Sequence, residues 1–432
     1  MNAKEMQIFE PAKYLAIYLH NNLHFDKQKY FFLIIYHKNS HYTSHSISFL
    51  PHHFNISQLK NECVRKYAFC FVKKTNSTHR REINKAYYGN FLQNTFFSSY
   101  FDYFCSMFYE REEIRRKMDE AGRKGIPFLF GLQFEGEEGF FLPYPLSQQV
   151  VLFDIGGQSN APAQTEEIPP FHFKAEPEAY HIYRERFGKV MQGLSRGDSY
   201  LTNLTIKTPV QSSLTLQDIF HYSRARYRLY IPGRLVCFSP ESFVTMSGGR
   251  IATFPMKGTI DASIPGAREI ILSDPKETAE QNTIVDLLRN DLSRIAKEVR
   301  VNRFRYVERL ETNRGSILQI SSEIEGTLPP DYREQLGTLF FALLPAGSVS
   351  GAPKEATLRL IRVAEEEPRG YYTGVAGYYD GCTLNTFVLI RLIEQQGNSL
   401  YFRSGGGITA ASNCLSEYRE AIQKVYLPFQ PS

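Results

Sequence analysis

Tryptophan is absent from this chain and cysteine is scarce, with six among 432 residues. Cys63, Cys70, Cys105, Cys237, Cys382 and Cys414 include no C-x-x-C pair, which excludes the usual zinc and redox spacings and a dense disulfide framework. They read as reduced packing residues. No apolar run approaches the roughly 20 residues that a membrane helix requires, and the densest patch, Tyr30 to Tyr36, is strand-length. The first residues lack the basic-then-apolar order of a secretion signal. A cytoplasmic protein without a membrane partner is expected. No Walker G-x-x-x-x-G-K-[ST] loop is present either.

The net charge of +5 is unevenly spread. Residues 1–105 hold thirteen Lys/Arg against six Asp/Glu, a surplus of seven that leaves the rest of the chain at −2. The body therefore gives no electrostatic reason to expect nucleic acid. Residues 1–106 also carry eight of the eleven histidines. Their apolar residues follow no sustained period, so this stretch reads as an extension of foreign composition. It is either a poorly ordered leader or sequence upstream of the true start, with Met107 or Met118 as the beginning; the second is favoured.

Residues 107–170 begin with a charged helix over 109–124 that Gly125 can close. Strands at 127–134, 139–142 and 150–154 follow, then a linker rich in Gly, Ser, Asn, Pro and Gln. Residues 171–430 form the main body. Helices are predicted over 177–195, 214–225, 275–298, 331–343, 353–366 and 413–426. Strands are predicted near 200–206, 227–231, 234–239, 242–247, 250–254, 373–379, 384–394 and 399–404. They cluster instead of alternating with helices, so the class is α+β with a large antiparallel core, not a doubly wound sheet.

Chemistry concentrates around Phe254-Pro255-Met256-Lys257-Gly258-Thr259-Ile260. Pro255 has no N–H, so it ends ladder pairing there. Lys257 stands beside Gly258, which offers no side chain to block a close approach. Burial can turn such a lysine into a nucleophile by lowering its pKa from about 10.4 towards about 7–8. Alone, it also reads as a surface lysine at a corner. Asp274-Pro275-Lys276-Glu277 caps the long helix. Glu277 and Glu280 share one face of it, and Glu417 and Glu420 repeat the spacing on the last helix. Each pair alone suits a solvated face. Facing one another, they would suit Mg²⁺, which keeps waters and takes one or two carboxylates plus substrate oxygens. Gly347 to Lys354 opens a helix whose N–H groups suit an anion. Gly405-Gly406-Gly407 follows a predicted strand, and Arg391 offers a fork for a carboxylate.

Taken in order, Gly197 to Leu204, Ser239-Pro240-Glu241-Ser242-Phe243, Pro255 to Thr259, Lys276 to Glu280 and Ile284 to Leu292 form a dense set of motifs. Gly347 to Lys354, Gly405 to Ile408 and Glu417-Tyr418-Arg419-Glu420 complete it. This set resembles the chorismate-utilising enzymes, and their aminodeoxychorismate synthase component I branch in particular. The likeness is dense from Gly197 to Val425, weaker from Pro127, and does not extend to the first 105 residues. It implies the anthranilate-synthase-component-I-like fold, two facing antiparallel sheets flanked by helices.

The resemblance also implies roles. Lys257 would be the nucleophile and Glu241 the general acid. Gly258, Thr259, Tyr372, Arg391, Gly405, Gly406, Gly407 and Lys354 would hold substrate. Glu277, Glu280, Glu417 and Glu420 would hold Mg²⁺. Chorismate would be converted to 4-amino-4-deoxychorismate for para-aminobenzoate and folate synthesis. A separate glutaminase subunit would supply ammonia, since this chain shows no glutaminase pattern of its own.

Two departures stand out. Gln319-Ile320-Ser321-Ser322 occupies the place where many relatives carry a histidine, which weakens the case for pyruvate elimination. Water-adding relatives carry a lysine near Leu201-Thr202, and none is here. The rival expectations are anthranilate synthase component I and a non-catalytic binding protein on the same scaffold.

Overall fold

A computed structural model describes residues 31–39, 42–50, 107–162, 167–312 and 315–429. Two compact units divide the chain at Met107. In the first, Phe31–Asn39 pairs antiparallel with Tyr42–Leu50, in a register that runs from Phe31 opposite Leu50 to Asn39 opposite Tyr42. The remainder of the predicted extension lies outside the described residues.

In the second unit, the elements that build the site are, in chain order, β1 (Leu201–Ser212), β2 (Leu235–Ser239), β3 (Ser242–Ser247) and β4 (Met256–Asp261). Helix α1 (Pro275–Ser293) and strand β5 (Gly315–Thr327) follow, then α2 (Gly347–Ser350) and α3 (Lys354–Glu365). The last are β6 (Leu384–Val388), β7 (Leu392–Gln396), β8 (Ser399–Ile408) and α4 (Cys414–Gln423). Among the described residues this unit's strands form one nine-stranded and one ten-stranded sheet, both antiparallel. β1, β8, β7 and β2 lie side by side in the first; β4, β5, β3 and β6 belong to the second. Aromatic side chains join the two sheets directly. Tyr227 stacks on Phe387 at 5.0 Å, and Phe153 meets Tyr378 at 5.3 Å. The α+β reading with two facing sheets is the architecture observed.

Several element boundaries differ from expectation, each for a local reason. The long helix stops at Ser293 instead of 298. From Lys297 the chain turns into a strand to Thr312 that pairs with β5, a hairpin for which no strand was predicted. Val299, Val301, Tyr306 and Val307 favour the extended form, and pairing with β5 decides it. The predicted strand over 384–394 is two strands, β6 and β7, parted by a left-handed Arg391 (φ 52°). The predicted helix over 331–343 is confined to Leu336–Ala342. No helix among the described residues is long and apolar enough to cross a membrane.

The core of the ten-stranded sheet centres on Phe340, which is fully buried. Its ring meets Phe130 edge-on at 5.1 Å and Phe243 at 5.8 Å. Phe243 lies two residues beyond Glu241, so this packing also seats the site. Phe340→Ala is expected to cost about 3–5 kcal/mol, read as a lowered midpoint in a urea melt; a cost below about 1 kcal/mol would contradict this placement.

Candidate active site

Two chain crossings between the sheets define the site. β2 leaves the nine-stranded sheet at Ser239, passes through Pro240-Glu241, and enters the ten-stranded sheet as β3. β6 makes the reverse crossing through Leu389-Ile390-Arg391 into β7. Backbone bonds hold the two crossings together. Val388 N–H donates to Glu241 O at 3.1 Å, and Phe238 N–H donates to Arg391 O at 3.0 Å. Glu241 and Arg391 are thus placed at neighbouring corners by the sheet ladders themselves.

Glu241 is half-buried and lines a recess between the crossings and α1. Ser348 Oγ, from the short α2, donates to its Oε1 at 2.6 Å. Burial raises its pKa above the ordinary carboxylate range, against the Ser348 hydrogen bond and the positive charges of Lys257, Lys424 and Arg391. A carboxyl that holds its proton more tightly than usual suits a general acid.

Lys257 approaches from the second sheet. The expectation that pairing ends at Pro255 is corrected: Thr253 faces Ile324, and Met256 resumes on the same β5 strand opposite Ser321. Pro255 interrupts the ladder without ending it, because its carbonyl accepts the N–H of Ser322 at 3.0 Å. Lys257 faces Ile320 and Thr259 faces Gln319, so Gly258 is a bulge residue, with φ 71°. A Cβ there would lie 2.7 Å from Glu277 Oε2. The missing side chain therefore makes room for α1. Thr259 is exposed beyond the bulge. Lys257 Nζ stands 3.8 Å from Glu280 Oε2, both side chains about one-third exposed (31% and 30%). Lys257, Glu241, Ser348, Met256, Ile284 and Leu288 line one recess.

The glutamate pairs sit on separate helices. Asp274 accepts the Glu277 N–H at 3.0 Å and starts α1 as expected. On α4, Ser412 Oγ donates to Glu417 Oε1 at 2.9 Å, while Glu420 pairs with Lys424 at 2.7 Å. Gly405–Gly407 lies inside β8, a correction to the expectation that it follows the strand. The β7 ladder stops at Arg403, yet β8 stays paired with β1 as far as Ile408. One backbone edge of the glycine run is therefore outside the ladder, and Lys424 Nζ takes the Gly405 carbonyl at 2.9 Å. A Cβ at Gly406 would come within 3.5 Å of Glu417 Oε2 and 3.8 Å of Glu420 Oε1. Gly258 and Gly406 thus leave bare backbone in front of each acidic pair. Among the described residues no three His, Cys, Asp or Glu side chains converge into a preformed metal site.

Arg391 Nε is buried without a hydrogen-bond partner, and its guanidinium lies 5.5 Å from the Tyr426 ring. Tyr372 is buried, and burial pushes its hydroxyl up to about 12 against the nearby Arg369 and Arg391 charges. An unpaired guanidinium N–H beside a neutral phenol suits a carboxylate ligand. Lys354 is set apart from this group. Its ammonium donates to both oxygens of Asp291 at 2.9 and 3.0 Å and to Leu343 O at 3.0 Å, which uses all three donors. Gly347 permits that pair, since a Cβ there would lie 2.8 Å from Asp291 Oδ2. The role of Ser348 has no local signal in the sequence, because its partner lies 107 residues away.

The family described as chorismate binding enzyme matches residues 107–429. The chain belongs to that family. An uncharacterized PabA-like protein of Haemophilus influenzae is 46% identical over 310 residues, covering 72% of this chain and 94% of its own length. Aminodeoxychorismate synthase component 1 of Bacillus subtilis is 30% identical over 257 residues, 55% of this chain and 53% of that protein. The structure of a 2,3-dihydroxybenzoate-specific isochorismate synthase from Bacillus anthracis superimposes with a TM-score of 0.56 at 20% identity, over 73% of this chain and 86% of that one. That likeness extends to the fold alone. Residues 1–106 of this chorismate-binding enzyme lie outside the family match.

The raised Glu241 pKa has a thermodynamic signature. The folded state holds this proton more tightly than the unfolded chain, so stability falls as pH rises from the ordinary value of 4.5 to the raised one. Above that window the penalty is constant. Glu241→Gln removes the titration, so the variant should be more stable than the parent at pH 7 to 8 and lose the advantage towards pH 4. Parallel stability–pH curves for the two proteins would contradict the assignment.

Proposed function

We propose that this chorismate-binding enzyme is an aminodeoxychorismate synthase component I. The observation that carries the reading is the recess lined by both Glu241, on the crossing into the ten-stranded sheet, and Lys257, on β4 of that sheet. Relatives named for aminodeoxychorismate and for anthranilate both match this chain, so the choice of product rests on Lys257 as the nucleophile.

In this reading the substrate ring lies between the two residues. Glu241 gives its proton to the C4 hydroxyl, which leaves as water, while the Lys257 nitrogen forms a bond to C2 and sheds a proton. Ammonia then bonds to C4, the C2–N bond breaks, and Lys257 leaves as the amine after taking up a proton. One difficult displacement becomes two easier ones, since hydroxide leaves poorly without an acid. Ser348 keeps the Glu241 carboxyl turned into the recess. Arg391, Tyr372 and the open edge of Gly405–Gly407 hold substrate carboxylates.

Mg²⁺ fits the donor set, which is all carboxylate oxygen in two pairs with bare glycine backbone before each. Glu280 and Glu420, supported by Glu277 and Glu417, would hold it, and it would offset the charge of a substrate carboxylate. Ammonia comes from a partner glutaminase.

The test is product analysis with chorismate, Mg²⁺ and ammonium. Expected are 4-amino-4-deoxychorismate, loss of turnover with a chelator, and a drop of about 100-fold or more in Lys257→Ala. Anthranilate as the product, or an unimpaired Lys257→Ala, would contradict the proposal.

A further inference from the structure

Gln281 follows Glu280 on α1 and is fully buried. It occupies the helix's inward stripe, where Ile284, Leu288 and Leu292 follow at spacings of three and four. Its Nε2 donates to Pro255 O at 3.2 Å and to Ser322 Oγ at 2.8 Å. Pro255 O also accepts from Ser322 N–H, and Ser322 Oγ accepts from Arg305 N–H at 3.0 Å. One amide therefore fastens the acidic helix, the interruption before β4 and the partner strand β5 at a single point.

Packing alone does not account for this residue. An apolar side chain of equal length would fill the stripe without desolvating an amide. Gln281 Oε1 is buried with no hydrogen-bond partner, so the side chain keeps one polar atom unsatisfied while spending its donors on Pro255 and Ser322. The place where those donors act is specific. Pro255 has no N–H of its own, and Lys257 lies two residues further on. Glu280, adjacent to Gln281, is the carboxylate 3.8 Å from Lys257 Nζ.

We propose that Gln281 is a positioning residue that sets Lys257 against the acidic helix by holding the Pro255 carbonyl. It acts through the backbone of Pro255-Met256-Lys257 and touches no substrate. Reactions between held groups are sensitive to such placement, and an error of about 1 Å can cost about 100-fold in rate.

The test compares Gln281→Met, which keeps length and shape without the N–H donors, with Gln281→His, which keeps one ring N–H. The kinetic arm rests on the chorismate amination proposed above; the hydrogen-exchange arm does not. In Gln281→Met, exchange should quicken at Met256–Thr259 relative to β5 and α1. Amination kcat should fall about tenfold or more with KM for chorismate within about threefold, and Gln281→His should recover much of the loss. Should Gln281→Met fail to fold, Gln281→Asn, whose amide falls one methylene short of Pro255, is read by the same criteria. If the wild type leaves chorismate untouched while exchange still quickens at Met256–Thr259, the functional reading fails and the clamp stands. Unchanged exchange there, kcat and KM worsening together with a uniform loss of protection, or no recovery in Gln281→His overturns the clamp.

Discussion

The paired crossings at Pro240-Glu241 and Ile390-Arg391 fix the geometry on which the site depends. Each is a short link between two strands locked in different sheets, so neither corner can move without disrupting ladder bonds on both sides. The corners are bonded to one another through Val388 N–H to Glu241 O and Phe238 N–H to Arg391 O. A half-buried acid and a guanidinium with an unpaired N–H are thereby held at adjacent points. The cost of desolvating them falls on the folding energy of two large sheets, which is the usual way a rigid scaffold sustains unfavourable site groups.

Lys257 depends on a weaker arrangement. Its strand is interrupted at Pro255 and bulged at Gly258, and both irregularities turn it towards α1. Glycine fits the bulge because φ is positive and because the Glu277 carboxylate occupies the space a Cβ would take. The nucleophile candidate and the first acidic pair are thus set by one local contact, and the second pair by another, where Gly406 faces α4. Lys257, beside the first pair, and Lys424, bonded to the second, both act on the Glu241 carboxyl.

Much of this was legible in the sequence. The α+β class followed from clustered strands, the start of α1 from Asp274 and Pro275, and the pairing of acids on each helix from their spacing. What was not legible depends on partners remote in sequence. The predicted helix runs two residues into the strand over Lys297–Thr312, and the rest of that strand carries no assignment until its pairing with β5 is known. The Ser348–Glu241 bond joins residues on separate motifs, and Lys354 reads as an anion-binding lysine until Asp291 is found beneath it. Gln281 did carry a local signal, as a polar residue on an otherwise apolar stripe. Composition set the first 106 residues apart, and the family match likewise begins at residue 107.

The central claim is that one ring is held between an acid on one crossing and an amine on the neighbouring sheet. The direct measurement is a crystal structure of the Glu241→Gln variant soaked with chorismate and Mg²⁺. The account predicts the ring in the recess, with Lys257 Nζ about 3–3.5 Å from C2 and residue 241 in hydrogen-bond reach of the C4 oxygen. A ring bound elsewhere, or turned so that Lys257 faces no ring carbon, would contradict it.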